Sequence, residues 1–191
     1  MTGTTQQDGV RFLREQHDEI RSLLRETAEA EGEARRAPFE RLVRLLAVHE
    51  TAEELVVYPM IRNVGADGDS IADRHLAEEE SAKDELSELE RLDVTSGEFE
   101  RRFRELRKAV EGHAKSEERE VFPLIEQASD DKQLEGMARA HRAAESMAPT
   151  HAHKAAPTSA MGNLLVGPMT AVVDRVRDAL RSATRTVSGR S

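Results

Sequence analysis

The chain has 191 residues, of which 38 % are hydrophobic and 34 % are charged, enough for one buried core under a charged exterior. It has no cysteine, which excludes disulfides, thiolate metal sites and cysteine nucleophiles. Its formal net charge of −9 argues against a duplex nucleic-acid binder, whose surface is usually basic. No apolar run approaches the roughly 18 residues of a membrane span, and no signal-peptide hydrophobic segment is present, so we expect a cytoplasmic protein without membrane or nucleic-acid partners.

Aromatic residues make up only 3 % of the chain, and a core of aliphatic residues favours helices over strands. Apolar residues recur at helical spacing over residues 10–31, and a second helix is predicted to begin near Pro38. After a Gly- and Asp-rich connector, a third helix is predicted over residues 70–92. Thr95 and Glu98 form a capping-box pattern, which predicts the start of a fourth helix.

Four such helices with short connections predict an all-α, up-down-up-down antiparallel four-helix bundle over residues 10–128. Residues 129–191 are predicted to be a C-terminal extension with one helix, a loop containing Pro and Gly, and a final amphipathic helix. We expect the final helix to cover the bundle or to join the subunits of a homo-oligomer. Of the histidines in the extension, His141 is a candidate to line the bundle mouth, while His151 and His153 are expected to be solvated or to form an adventitious metal clip.

One histidine falls on the apolar stripe of each predicted bundle helix: His17, His49, His75 and His113. A single buried histidine is most often a satisfied core residue, but four imidazoles in one core cost free energy unless they have partners. His49 precedes Glu53 by four residues, and His113 precedes Glu117 by four. Since residues four apart share a helix face, each pair brings an imidazole and a carboxylate to the interior, where Fe, Mn or Zn would satisfy both.

The two helices that carry these pairs also repeat one another. Residues 49–61 and 113–125 share the pattern H-x3-E-E-x2-V-[YF]-P-[ML]-I at a constant offset of 64 residues. Together with His17 and His75 they indicate a duplicated helical hairpin, whose copies would face each other across a pseudo-twofold axis. Four imidazoles and two carboxylates around such an axis fit two metal ions bridged by the glutamates. The alternative is that the repeat reflects packing alone.

A histidine on the first and third helices, with HxxxE on the second and fourth, resembles the hemerythrin-like, HHE cation-binding family. The resemblance covers residues 10–128 and implies a four-helix bundle around two iron ions with an oxo or hydroxo bridge. It implies six ligands, with the glutamates as bridges: His17, His49, Glu53, His75, His113 and Glu117. It also implies reactions with small molecules, namely hydrogen peroxide, nitric oxide and O2.

The sequence departs from the oxygen-carrying members of that family at two positions. Four residues after His75, where they have a second histidine, this chain has Glu79. Five residues after His113, where they have an aspartate, it has Glu118. A centre richer in carboxylate stabilises ferric iron, so we expect redox turnover or sensing rather than reversible oxygen carriage. Glu79 and Glu50 are expected to be solvated, with metal ligation as the alternative.

Tyr58 is the sole tyrosine and corresponds to Phe122 in the repeat. We expect Tyr58 to pack beside Pro59. Two alternatives are that it binds iron as a phenolate or that it donates a hydrogen bond near the metals.

The sequence therefore predicts a di-iron protein with peroxidase- or catalase-like chemistry toward small oxidants. One alternative is a module that binds or senses O2, iron or nitric oxide without turnover. Another is a structural helical protein whose site holds zinc or nothing.

Overall fold

The computed structural model describes residues 9–147, without the side chains of residues 55, 140, 141 and 143–147. These residues contain no strand and form six α-helices: α1 (Gly9–Glu29), α2 (Arg36–Ala52), α3 (Tyr58–Ile61), α4 (Gly68–Leu89), α5 (Gly97–Ala128) and α6 (Asp131–Met147). A 3-10 turn (Gly32–Arg35) precedes α2. A π-helical turn (Glu53–Val57) joins α2 to α3.

The four long helices α1, α2, α4 and α5 form a bundle. α1 packs against α2 and α5, α4 packs against α5, and α2 contacts α4, so the helices close a ring around one core. The predicted helical bundle is confirmed. α6 lies against α1 and α2, where the buried Met137 approaches Gly9 so closely that a Cβ at Gly9 would collide with it.

The buried apolar residues form two clusters, one toward each end of the bundle. The first includes Leu13 of α1 and Phe122 of α5. The second includes Ile20 of α1 and Phe99 of α5. Each of the four histidines singled out in the sequence is flanked along its own helix by members of both clusters. His17, for example, lies between Leu13 and Ile20, so the polar layer sits in the middle of the bundle with apolar residues on both sides.

The start of α5 differs by one residue from the predicted capping box. Ser96 is the N-cap, and its hydroxyl accepts a hydrogen bond from the Phe99 N–H at 3.1 Å. Thr95, predicted as the cap, instead donates both its N–H and its hydroxyl to Asp93. The prediction was wrong because Asp93 captures the polar groups of Thr95 in a turn of the kind that aspartate favours.

The π turn interrupts the predicted second helix. The Tyr58 N–H donates to the Glu53 carbonyl, five residues back. α5, which carries the second copy of the repeat, continues as an α-helix through Pro123. Because a π turn contains one residue more than an α turn, Tyr58 lies about 40° from Glu53 around the axis instead of about 140°. The two copies therefore present their aromatic residues to different surroundings.

The loop and the final helix predicted for the extension lie outside the described residues, as do His151 and His153 and the side chain of His141. The division of the chain at residue 128 and the homo-oligomer contact stay predictions. In the described part of the chain, no helix is long and apolar enough to span a membrane.

Candidate metal centre

The six side chains predicted as ligands meet in the middle of the bundle. Their ligand atoms, with those of Glu79, form three groups whose members lie within 4.8 Å of one another: His17, His49, Glu53 and Glu117; His75, His113 and Glu117; and Glu53, Glu79, His113 and Glu117. Glu117 belongs to all three groups and Glu53 to two. Both carboxylates therefore lie between neighbouring positions that can hold a cation.

The Nε2 atoms of the histidines face these carboxylates. Glu117 Oε2 lies 3.3 Å from His17 Nε2 and 3.5 Å from His113 Nε2. His49 Nε2 lies 3.4 Å from the second carboxylate, at Glu53 Oε2. One imidazole nitrogen of each of these rings is thus directed at the centre together with a carboxylate oxygen.

The opposite ring nitrogen, Nδ1, has a partner of its own in three histidines. His17 Nδ1 lies 2.9 Å from Glu118 Oε1, His49 Nδ1 lies 3.1 Å from Gln16 Oε1, and His113 Nδ1 lies 2.8 Å from Glu78 Oε2. Such acceptors hold the proton on Nδ1 and leave the Nε2 lone pair for a metal. The sequence did not predict these hydrogen-bond partners of Nδ1, because each partner reaches its histidine only when its own helix packs against the helix of that histidine.

Several buried polar atoms at the centre have no hydrogen-bond partner among the described residues: Nε2 of His17, His75 and His113, both carboxylate oxygens of Glu53, and Oε2 of Glu79 and of Glu117. Leaving such a group unsatisfied costs about 1–3 kcal/mol, and more when it is charged. Imidazole nitrogens and carboxylate oxygens are also the donors that Fe, Mn and Zn accept. The residues present therefore fit a bound metal.

The pKa shifts of the residues at the centre also support a bound metal. Burial raises the pKa of Glu53, and the charges of Glu117 and Glu79 raise it further. Burial also raises the pKa of Glu117, but the proximity of His17, whose Nε2 lies 3.3 Å from Glu117 Oε2, and the charges that the surrounding histidines carry when protonated outweigh it and bring the pKa to about 2. Burial lowers the pKa of His75, which keeps this imidazole neutral, the form that binds metals. An added cation would relieve the repulsion among these carboxylates.

Residues 8–125 match the family model of the hemerythrin HHE cation binding domain, and this range is more than half of the chain. The chain belongs to the hemerythrin HHE family. Together with the groups of His and Glu side chains, this makes it a metal-binding domain.

Three relatives of this hemerythrin domain show how far the similarity extends. An uncharacterized hemerythrin-like protein of Schizosaccharomyces pombe is 26 % identical over 136 residues, which are 71 % of this chain and 67 % of the relative. A protein of a Nostoc species named DNA nickase is 28 % identical over 136 residues, 70 % of this chain but only 38 % of that protein. The crystal structure of a hemerythrin HHE cation binding domain-containing protein from Mycobacterium kansasii is 25 % identical with a TM-score of 0.65, covering 87 % of this chain and 98 % of that chain.

Two carboxylates of this hemerythrin domain are buried although they were predicted to be solvated. Glu79 is 1 % exposed and Glu50 is 4 % exposed. Burial raises the pKa of Glu79 to about 9 and that of Glu50 to about 8. The prediction was wrong because an acidic residue on a charged helix is ordinarily assigned to solvent, whereas the packing of the bundle turns both residues inward. Glu79 belongs to one group of potential ligands, and Glu50 to none of those found among the described residues.

Tyr58 of the hemerythrin domain reaches the centre instead of merely packing beside Pro59. Its hydroxyl lies 2.8 Å from Glu117 Oε1 and also hydrogen-bonds to Glu79 Oε1. Burial raises the pKa of Tyr58, as do the charges of the surrounding glutamates, which keeps the phenol protonated. Since a phenol has one proton to donate, the second hydrogen bond needs a proton on a carboxyl, and Glu79 with its raised pKa is the group that carries it. This geometry favours the hydrogen-bond donor among the alternatives drawn from the sequence.

Phe122, which corresponds to Tyr58 in the repeat, occupies a different environment. Its ring stacks on that of His17, with centroids 5.3 Å apart and planes inclined by 20°. The hemerythrin centre therefore has one aromatic residue that contacts carboxylates and one that packs against an imidazole.

Proposed function

We propose that this domain holds two iron ions and breaks down hydrogen peroxide, with nitric oxide and O2 as further small molecules that react at the same centre. The observation that carries the proposal is that Glu117 belongs to all three groups of potential ligands and Glu53 to two. Two adjoining positions that share carboxylates are what a dinuclear site requires. A set of imidazoles and carboxylates also suits iron.

The ligands proposed from the sequence divide into two sets with the glutamates between them. One ion would be held by His17 and His49, the other by His75 and His113, and both by Glu53 and Glu117. Glu79 lies beside the second position as a further carboxylate. Bound there, the two iron ions would supply one-electron redox chemistry and Lewis acidity.

The residues around the centre orient the ligands and hold protons. Glu118, Gln16 and Glu78 keep three imidazoles turned with Nε2 inward. Tyr58 fixes the position of Glu117 through its hydroxyl, and Glu79 holds a proton at the same point. The apolar clusters on either side restrict water to the polar layer.

Hydrogen peroxide breakdown needs no external reductant. Two molecules give two molecules of water and one of O2, because one molecule is oxidised while the other is reduced. The burial of Glu79 beside the centre supports turnover over reversible oxygen carriage, since a bound cation would displace its proton and the resulting carboxylate would stabilise ferric iron, where a histidine would favour the ferrous state.

DNA cleavage, the activity named for the Nostoc relative, is not part of the proposal. The aligned stretch is 38 % of that protein, and a net charge of −9 repels a phosphate backbone. The cytoplasmic location stays a prediction.

The test is the iron content of the protein together with O2 release from hydrogen peroxide. After anaerobic reconstitution with ferrous iron, we expect two iron ions per chain and one O2 for every two peroxide molecules consumed. Glu117→Gln is expected to lose most of the bound iron and to slow O2 release by at least about tenfold, since it removes the shared carboxylate. Glu111→Gln is the matched control on the same helix, because Glu111 hydrogen-bonds to Arg107 away from the centre.

Failure to bind iron, or bound iron without O2 release, would contradict peroxide breakdown. Reversible binding of O2 or nitric oxide by the iron-loaded protein, with no turnover, would instead favour the module that binds or senses these molecules.

A further inference from the structure

We propose that a cavity between α4 and α5 is the substrate pocket of this centre, that it admits a small uncharged hydrogen-bonding molecule such as hydrogen peroxide, and that Glu50 contacts this molecule at the inner end. This assignment, which rests on the function proposed above, names the route to the centre and a residue outside its ligand set.

The cavity has a volume of about 550 Å³ and extends from the protein surface to the metal centre. Its rim is formed by small exposed residues, namely Ala77 and Ser81 of α4 and Ala109 and Gly112 of α5. Its inner end is formed by five residues of the polar layer: His17, His49, Glu50, Glu79 and His113. A molecule of a few atoms can therefore reach the candidate ligands along the edge of the second apolar cluster, whose members Ile20, Leu46 and Val110 line the cavity.

Within residues 9–147, the rim of the cavity is open. A Cβ at Gly112 would meet no atom of the described residues within 4 Å, so nothing in residues 9–147 packs against this part of α5. Ion pairs connect α4 to α5 on both sides of the opening, Arg74 with Glu120 on one side and Arg102 with Glu85 on the other. These ion pairs hold α4 and α5 together on either side of the rim, whose small residues do not connect the two helices.

Glu50 gives the cavity a polar anchor. The side chain is 4 % exposed, and its Oε2 has no hydrogen-bond partner among the described residues. It lines the inner end of the cavity beside the candidate ligands but belongs to none of the ligand groups found there. A buried carboxyl oxygen in this position needs a hydrogen-bond partner from the cavity itself. Hydrogen peroxide both donates and accepts hydrogen bonds and is small enough to supply that partner.

The lining favours an uncharged molecule over an anion. The walls include the apolar side chains of Ile20, Leu46 and Val110. The basic residues that line the cavity, Arg74 and Lys108, are each paired with a glutamate. Since the inner end presents carboxyl groups without a free basic residue among those that line it, an anion would lose its solvation there without gaining a cationic partner.

The first experiment blocks the rim. Gly112→Phe and Ser81→Phe fill it from either wall, and Gly97→Phe is the matched control, because a Cβ there also meets nothing within 4 Å and Gly97 lies outside the cavity. We expect both rim variants to lower kcat/KM for hydrogen peroxide in the iron-loaded protein by about tenfold or more. We expect them also to slow the uptake of Co2+ by the metal-free protein, followed by its absorption, while the control stays within about twofold of wild type in both.

The second experiment tests Glu50 itself. Glu50→Leu is expected to raise KM for hydrogen peroxide by about tenfold while kcat stays within about twofold and the iron content is unchanged. Glu50→Gln keeps the hydrogen-bonding capacity and is expected to restore most of the wild-type KM. An unchanged KM in Glu50→Leu, or a KM in Glu50→Gln as high as in Glu50→Leu, would overturn the role of Glu50.

Peroxide consumption and Co2+ uptake together distinguish a failure of the cavity as the route from a failure of the peroxide function. If the wild-type protein consumes no hydrogen peroxide but the rim variants still slow Co2+ uptake, the peroxide function is wrong and the cavity remains the route to the centre. If the rim variants match wild type in both peroxide consumption and Co2+ uptake, the cavity is not the route.

Discussion

In His17, His49 and His113, the hydrogen-bond partner of Nδ1 favours the tautomer whose Nε2 lone pair faces the metal centre. For His17 this partner is Glu118, whose carboxylate is in turn held by Arg21. With the proton fixed on Nδ1, the Nε2 lone pair points into the bundle and is free to bind a cation. We therefore expect Glu118 to influence metal affinity through His17, since Glu118 belongs to none of the groups of potential ligands found among the described residues.

Replacing Glu118 with alanine is expected to weaken metal binding about 10- to 100-fold, because His17 loses the group that fixes its tautomer and orientation. The measurement is a competition titration of ferrous or cobaltous ion against a chelator. Glu111→Ala is the matched control, since Glu111 also lies on α5 and pairs with Arg107 of the same helix, and the side chains of Glu118 and Glu111 are 25 % and 30 % exposed. Equal affinities in the two variants would show that Glu118 does not support the metal site.

Helical periodicity explains which parts of the metal centre could be predicted from the sequence. The histidine stripe and the HxxxE pairs depend on residues three, four or seven apart, and this local spacing survives whatever the helices pack against. The contact of His17 with Glu118 spans 101 residues of sequence and exists only because α1 packs on α5. The burial of Glu79 and Glu50 is likewise a property of neighbouring helices, which is why their acidity alone gave the wrong environment.

Within one element, the π turn at Glu53–Val57 also depends on contacts between helices, as the burial of Glu79 and Glu50 does. Tyr58 carries a hydroxyl and needs polar partners when buried, whereas Phe122 is satisfied by packing against an imidazole. The wider turn directs Tyr58 toward Glu117, so the unfavourable geometry of the π turn is offset by hydrogen bonds at the centre. Because the two copies of the repeat have equal lengths, sequence comparison between them contains no sign of this difference.

The π turn is expected to exchange its amide hydrogens faster than the equivalent residues 117–121 of α5. Its hydrogen bonds run over five residues with poorer geometry, whereas residues 117–121 keep the α-helical pattern. Pro59 and Pro123 lack an N–H at the same position of the two copies, so proline does not account for the difference. We expect exchange to be faster by about tenfold, measured by hydrogen–deuterium exchange on the metal-free protein, where no bound ion protects either segment. The second copy of the repeat serves as the internal control, and equal protection of the two segments would mean that the π turn is as stable as the α-helix.

For the whole molecule, the two halves of the centre have unequal surroundings despite the repeat. Glu118 pairs with His17, but Glu54 at the equivalent position pairs with Lys83. The imidazole of His113 relies on Glu78, whose side chain is 43 % exposed, and lies at the inner end of the cavity. The cavity reaches both halves of the centre, since His17 and His49 line it together with His113, but among these three side chains that of His113 is the most exposed, at 15 %.

Metal binding is expected to stabilise the entire bundle, since the candidate ligands come from α1, α2, the π turn, α4 and α5. A cation at the centre joins these elements and also removes the repulsion among the buried carboxylates. At a free metal concentration about 1,000 times the dissociation constant, the free energy of unfolding is expected to rise by about 4 kcal/mol for each ion bound. Urea unfolding of the protein with ferrous or cobaltous ion, and again after chelation, measures this difference.

The variants introduced for the iron test also provide the control for stability. Glu117→Gln removes a carboxylate whose charge the metal-free fold stabilises, as its lowered pKa indicates, so the metal-free variant is expected to unfold at a lower urea concentration than metal-free wild type, and its response to added metal is expected to be mostly lost. Glu111→Gln is expected to respond like wild type because Glu111 lies apart from the centre. A wild-type bundle whose unfolding midpoint does not change on metal removal would contradict a centre that joins all four long helices.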